Sequence, residues 1–169
     1  MFERAERLAD GIDRLTGAVG GAVAWLLPAM VLVQFAVVVM RYGLGLGSVW
    51  LQESILYAHA AVFLLAAAWT LRQDGHTRID IFYADAPPRR RALVDLGGAL
   101  LLLLPFMTVL AWYAWPYAAR AWAIRERSQE VSGLPFVYLL KSLLLAFALL
   151  LALQGIAQAI RAWGVLRRP

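Results

Sequence analysis

RYGLGLGSVWLQESILYAHAAVFLLAAAWTLRQDGHTRID, residues 41–80, is one apolar span set between two polar borders. Trp50 and Glu53 stand at its entrance in a Trp-x-x-Glu step. Arg72, His76 and Asp80 stand at its exit in an Arg-x3-His-x3-Asp step. A hydrocarbon core about 30 Å thick is crossed by about 20 helical residues, which is the length of the run between those borders. Charge at both ends and almost none between them is the pattern of a helix that crosses a bilayer.

Working outward, three more segments reach that length, so the spans are expected at 17–40, 49–71, 92–115 and 137–160. The alternation of barrel strands is missing, and helices are the other way to satisfy a backbone in lipid. Pro28 and Pro105 fall within the first and third spans, and each removes a backbone donor and predicts a kink. Residues 1–16 place Phe2, Leu8, Ile12 and Leu15 at helical spacing, with Glu3, Arg7, Asp10 and Arg14 around the rest of the wheel. They predict an amphipathic cytoplasmic interfacial helix rather than a cleavable leader, which needs a basic region followed directly by an apolar one. A second interfacial segment is expected at 79–83. Pro87-Pro88 should open the third helix, with Arg89, Arg90 and Arg91 at its cytoplasmic end. The fold class is therefore an all-α membrane protein, with a four-helix transmembrane domain over 17–160 and a basic cytoplasmic tail over 161–169.

Composition agrees. Of 169 residues, 62% are hydrophobic and 16% charged, where a soluble domain carries about a quarter charged. So much apolar surface does not fit inside one small core. The net charge of +5 is carried by arginine, with Lys141 the only lysine. The arginines border apolar runs, which fits membrane topology rather than nucleic acid. The amino terminus, the 72–91 loop and the tail hold eleven of the Lys and Arg residues. Arg41, Arg120, Arg125, Arg127 and Lys141 lie on the other side. The excess places both termini in the cytoplasm. Cysteine is absent, which excludes disulfides and thiolate metal sites. No internal repeat is evident, against the habit of complete transporters.

Glu53 is the sharpest candidate residue. Trp50 and Tyr57 share its helix face, and Arg41 or Lys141 is its expected partner in a polar clasp. The competing reading is a solvated acid favoured by the start of a helix dipole. His59 lies two turns deeper. With His76 about 25 Å further along a continuous helix, the two cannot ligate one haem, so a hydrogen bond to a neighbouring helix is expected of His59. Arg72, Asp74, His76, Arg78 and Asp80 read either as topogenic charge or, by their spacing, as an ordered turn that docks the 72–91 loop. Gln34, Gln154 and Gln158 are expected to bond between helices. Trp112, Tyr113, Trp115, Tyr117 and Trp122 are expected to form an interfacial aromatic belt. No Ser/His/Asp arrangement, phosphate loop or dinucleotide fingerprint is present, so neither enzyme activity nor a cofactor is expected.

The set Arg41-Tyr42, Trp50-x-x-Glu53-x3-Tyr57 and Arg72-x3-His76-x-Arg78-Ile79-Asp80 resembles the small permease subunit of TRAP (tripartite ATP-independent periplasmic) transporters, the DctQ-like family. Ser128, Glu130, Ser132, Gly133-Leu134-Pro135, Lys141 and the Leu153–Gly155 step extend the resemblance over nearly the whole chain. One departure is Gln52, where many relatives carry a second acid, and it weakens any role that needs a double carboxylate. The resemblance implies a secondary, sodium-coupled transporter of organic acids in the bacterial inner membrane. Its partners would be a large elevator-type permease subunit and a periplasmic substrate-binding protein, with this chain as static scaffold and without a substrate site. The opposing expectation is a four-helix anchor subunit of a haem or quinone redox enzyme.

Overall fold

The computed structural model describes residues 2–76, 83 and 85–167, Phe2 by its backbone alone. Among them are four helical stretches long and apolar enough to cross a membrane: Glu3–Gly43, Val49–Arg72, Pro88–Ala123 and Val137–Arg167. The first is α1 (Phe2–Ala24) continued by α2 (Leu26–Gly43), and the second is α3 (Val49–Leu65) continued by α4 (Ala67–Arg72). The third runs from α5 (Pro88–Gly97) through a π-helical turn (Gly98–Leu103) into α6 (Leu104–Ala123), and the fourth is α7 (Val137–Arg167). The four spans anticipated from hydropathy are present, each longer than the apolar run that announces it.

The interruptions have local causes. Pro28 has no N–H, and its ring crowds the carbonyl four residues back, on Ala24; the helix breaks there, at Trp25, whose N–H reaches Ala22 O at 3.4 Å. Pro105 likewise denies a donor to Leu101, and the π turn lies directly before it. Ala66 divides α3 from α4 without a proline. Thr70 Oγ1 donates to Ala66 O at 3.1 Å beside Thr70's own N–H at 2.9 Å, and such back-bonding bends helices. Pro88 occupies the first turn of α5, as its sequence position predicts.

Residues 2–24 form one helix, and of the apolar face read from the sequence it buries Ile12. Leu8 and Leu15 are exposed, while Ala9, Ile12, Asp13 and Thr16 are buried. The reason is α7. Its most apolar window is 39% buried, against 6–11% in the other spans, and α1, α3, α4, α5 and α6 all pack on it. Ala9 and Ile12 meet Ala157 at one end, and Ala68, Met107, Ala148 and Leu151 form the core midway. Small residues set the spacing, as expected where lipid removes the hydrophobic drive between helices. A Cβ on Gly155 would stand 2.7 Å from Leu103, and one on Gly20 2.6 Å from Trp69.

The buried polar groups sit at the end that holds both termini. Gln154 Nε2 donates to Asp13 Oδ1 at 2.9 Å, and Thr16 Oγ1 donates to Gln154 Oε1 at 2.8 Å. Asp13 Oδ2 pairs with Arg161 and, at 3.5 Å, with Arg72 Nε, while Arg72 also donates to the Asp13 carbonyl at 2.9 Å. Arg161 further reaches Asp10 at 3.1 Å. One carboxylate thus ties α1, α4 and α7. Its two guanidiniums remain partly exposed, so the loss in Asp13→Asn should fall below the figure for a fully buried pair, on the order of 2 kcal/mol. The expected outcome is a lowered midpoint in thermal unfolding of the detergent-solubilised protein. An unchanged midpoint would show that the network is not holding the helices.

Candidate functional site

At the opposite end, α3 begins with Ser48 as its N-cap, the side chain accepting from Leu51 N–H at 3.4 Å. One turn further on, Glu53 is turned toward the 128–134 loop. Ser128 Oγ donates to one carboxylate oxygen, and Leu134 N–H donates to the other at 2.5 Å. The same loop is closed by Ser128 N–H to Leu134 O at 3.2 Å and turned by Gly133 N–H to Glu130 O at 3.0 Å. Glu130 N–H also donates to Ser128 Oγ at 3.2 Å. A single carboxylate therefore holds both ends of the loop that leads into α7. Gly133 makes this approach possible, because a Cβ there would collide with Ser128 and lie 2.7 Å from Glu53 Oε1. Leu134 is buried beneath.

This corrects the expected clasp. Glu53 pairs with neither Arg41 nor Lys141. Lys141 Nζ sits 2.6 Å from Glu126 Oε2 and 4.1 Å from the centre of the Tyr117 ring. Beside it, Trp122 Nε1 donates to Ser142 Oγ at 2.7 Å and the Trp122 ring meets Tyr138 edge-on. Glu126 reaches Lys141 because α6 ends in a left-handed residue. Arg125 has φ 47°, with Arg125 N–H on Trp122 O and Glu126 N–H on Ala121 O. Tyr57 lies one turn from Glu53 with its hydroxyl buried and no hydrogen-bond partner among the described residues. Arg41, Tyr42 and Trp50 are exposed, and none of their side chains is bonded within the described residues.

The exit cluster divides. Arg72 turns to Asp13 on α1, and His76 Nε2 donates to Ala67 O at 3.2 Å. Asp74 takes φ 59° and ends α4, Asp74 N–H bonding Leu71 O and Gly75 N–H bonding Thr70 O. Arg78 and Asp80, and the expected interfacial segment at 79–83 apart from Tyr83, lie outside the described residues. Tyr83 donates to Asp95 Oδ2 at 2.8 Å and lies under the Arg91 guanidinium. Among the described residues His59 makes no interhelical hydrogen bond. It is exposed and stacks on Phe63 of its own helix. Gln154 meets its interhelical expectation; Gln34 is exposed.

Sequence reading passed over Asp13, Thr16, Ser128 as the partner of Glu53, and Glu126. Asp13 was the most findable, since Ala9, Asp13, Thr16 and Gly20 recur on one helix face as a small-residue stripe with one acid in it. Among the described residues, no group of three or more His, Cys, Asp or Glu side chains is placed to hold a metal.

Residues 30–165 match the family model described as "Tripartite ATP-independent periplasmic transporters, DctQ component". A relative from Vibrio cholerae serotype O1, the C4-dicarboxylate TRAP transporter small permease protein DctQ, is 29% identical over 126 residues, covering 66% of this chain and 52% of the relative. The chain thus spans about half the length of that relative. No solved structure matches.

Two outcomes follow from the carboxylate's bonds. Gly133→Ala and Glu53→Gln should each expose the 128–134 loop, read as faster amide exchange there, with a stability loss of about 1–3 kcal/mol for an unmade buried hydrogen bond; Tyr57→Phe should cost no stability and leave the exchange as it is, because its buried hydroxyl has no hydrogen-bond partner among the described residues. In double-mutant cycles, Glu53→Gln with Arg41→Gln should add to within about 0.5 kcal/mol, since the two share no partner, and Glu53→Gln with Ser128→Ala should fall short of additive. Coupling between Glu53 and Arg41 would restore the clasp between them.

Proposed function

Because the chain belongs to the DctQ component family of the TRAP transporters, we propose that it is the small permease subunit of a sodium-coupled system for organic acids and acts as a static scaffold for a large elevator-type membrane subunit. The match over 30–165 carries this reading. The organic-acid class follows the C4-dicarboxylate named for its Vibrio cholerae relative. A periplasmic binding protein delivers the substrate, the membrane is the bacterial inner membrane, and both termini lie in the cytoplasm.

The structure supports the passive part of the role. Asp13, Glu53 and Lys141 each bond within the chain, so these two acids and the lysine are engaged in joining helices and closing a loop. The terminal end, with Arg72, Arg91 and Arg161, is the arginine-rich end, which agrees with a cytoplasmic face. The haem or quinone anchor draws no support: His59 and His76 point to separate surroundings on α3 and beyond α4.

The chain has no cysteine, so single cysteines report without background. Placed at Gly11, Asp85 and Gln129, only the last should react with a membrane-impermeant thiol reagent applied from the periplasm. In proteoliposomes, sodium-driven uptake of dicarboxylate should require the large subunit and the binding protein together with this chain. Uptake by this chain alone would refute the scaffold role.

A further inference from the structure

A stripe of polar side chains faces outward from the α2–α3 pair. Arg41 and Gln52 mark its upper level, where the two helices are joined by the short 44–48 connection. Gln34 lies seven residues below Arg41 on α2, and His59 seven residues below Gln52 on α3. Seven residues are nearly two full turns, so each lower group shares the face of the one above it and sits about 10 Å deeper. Gln34, Arg41 and Gln52 line one open cavity of ≈ 360 Å³. All four side chains are exposed, and none has a hydrogen-bond or ion-pair partner among the described residues.

Lipid is a poor cover for this face. Arg41 at the border can extend its guanidinium to the headgroups, but the shorter Gln34 and His59 side chains, about 10 Å further in, cannot. Polar groups at such depth ordinarily face protein or water. The inner side of the bundle is out of reach of Gln34, because among the described residues α2 packs on α3 and α1 and makes no packing contact with α6 or α7, and His59, on α3, is exposed. Of the 18 residues of α2 only Val37 is buried.

We infer that the Arg41–Gln52–Gln34–His59 stripe is the seat of a transmembrane helix of the large permease subunit, a partner carrying a carboxylate opposite Arg41 and hydrogen-bonding side chains at the level of Gln34 and His59. This rests on the proposed function for the partner's identity. The face and its chemistry come from the lone cation at the border and the unbonded amide and imidazole below it.

A photocrosslinking amino acid placed singly at Val38 and Leu56, on the stripe, and at Leu101 and Leu149, away from it, would be read in membranes that co-express the tagged large permease subunit. Adducts with that subunit from 38 and 56 but not from 101 and 149 are expected. Adducts from 101 or 149 only, none from 38 and 56 while the subunits co-purify, or adducts between two copies of this chain from 38 and 56 would each overturn the seat and leave the scaffold function standing. If the wild-type chains fail to co-purify, the function itself fails, and the inference with it. Gln34→Leu with His59→Leu should lower recovery of the large subunit at least fivefold while the isolated chain keeps its melting temperature, because those side chains make no hydrogen bond or ion pair among the described residues and leucine keeps an apolar contact with Phe63. His59→Gln and Arg41→Lys should retain recovery, and Arg41→Gln should lose it. Undiminished recovery with the leucine pair would count against the seat.

Discussion

The Asp13 carboxylate is 4% exposed in the first membrane-length helix, and the terminal end of the bundle is arranged around it. A buried ion is costly unless its charge and its hydrogen-bond capacity are both met. Here Arg161 and Arg72 meet the charge, and Gln154, itself held by Thr16, meets a remaining lone pair. These bonds are directional, and apolar contact between two helices is not. The small residues beside them, Ala9 against Ala157, allow the helices to approach, but by themselves they would permit several registers. The carboxylate selects one, and this accounts for an amino-terminal helix that continues straight into the first span and seats its polar face on α7.

Glu53 serves the other end in a related way, with backbone and hydroxyl donors in place of guanidiniums. Its two oxygens take the two ends of the 128–134 loop, so the start of α3 and the approach to α7 are joined through one side chain. Glu126, Lys141, Tyr117 and Trp122 join α6 to α7 close by. Between the two polar ends the bundle is held by shape, with Leu103, the last residue of the π turn, filling the space left at Gly155. With the internal ties made on α1, α3, α4, α6 and α7, Gln34 and Arg41 of α2 and Gln52 and His59 of α3 are left without a hydrogen-bond or ion-pair partner among the described residues. That division leaves bundle stability to the inner faces and an outer polar face to the proposed partner.

The parts of this arrangement that were legible in the sequence share one property: they depend on chain distance alone. A bilayer fixes how long an apolar run must be, so the four spans are countable. Proline has fixed chemistry, so the opening of α5 at Pro88 and a break near Pro28 follow from position. The break at Ala66 was not legible, because Thr70 back-bonds in some helices and faces solvent in others. Nor were the ends of α4 and α6, where Asp74 and Arg125 take the left-handed conformation that glycine usually supplies. Within the Arg-x3-His-x3-Asp step, Arg72 and His76 take separate partners, Asp13 on α1 and the Ala67 carbonyl.

By itself, then, the sequence determined the solvent of this protein, its helix count and, through Trp50, Glu53, Tyr57, Arg72 and Gly133-Leu134-Pro135, its kinship. Only the tertiary structure decided which acid meets which base. A span such as α7 is apolar all round and carries no signal of its inward face. Each residue turns a helix by about 100°, so a small rotation about the axis exchanges one partner for another. Glu53 could be placed at its border from chain position, but its turn toward Ser128 and Leu134, away from Arg41 and Lys141, depends on how the 128–134 loop, with no side chain at Gly133, closes against α3.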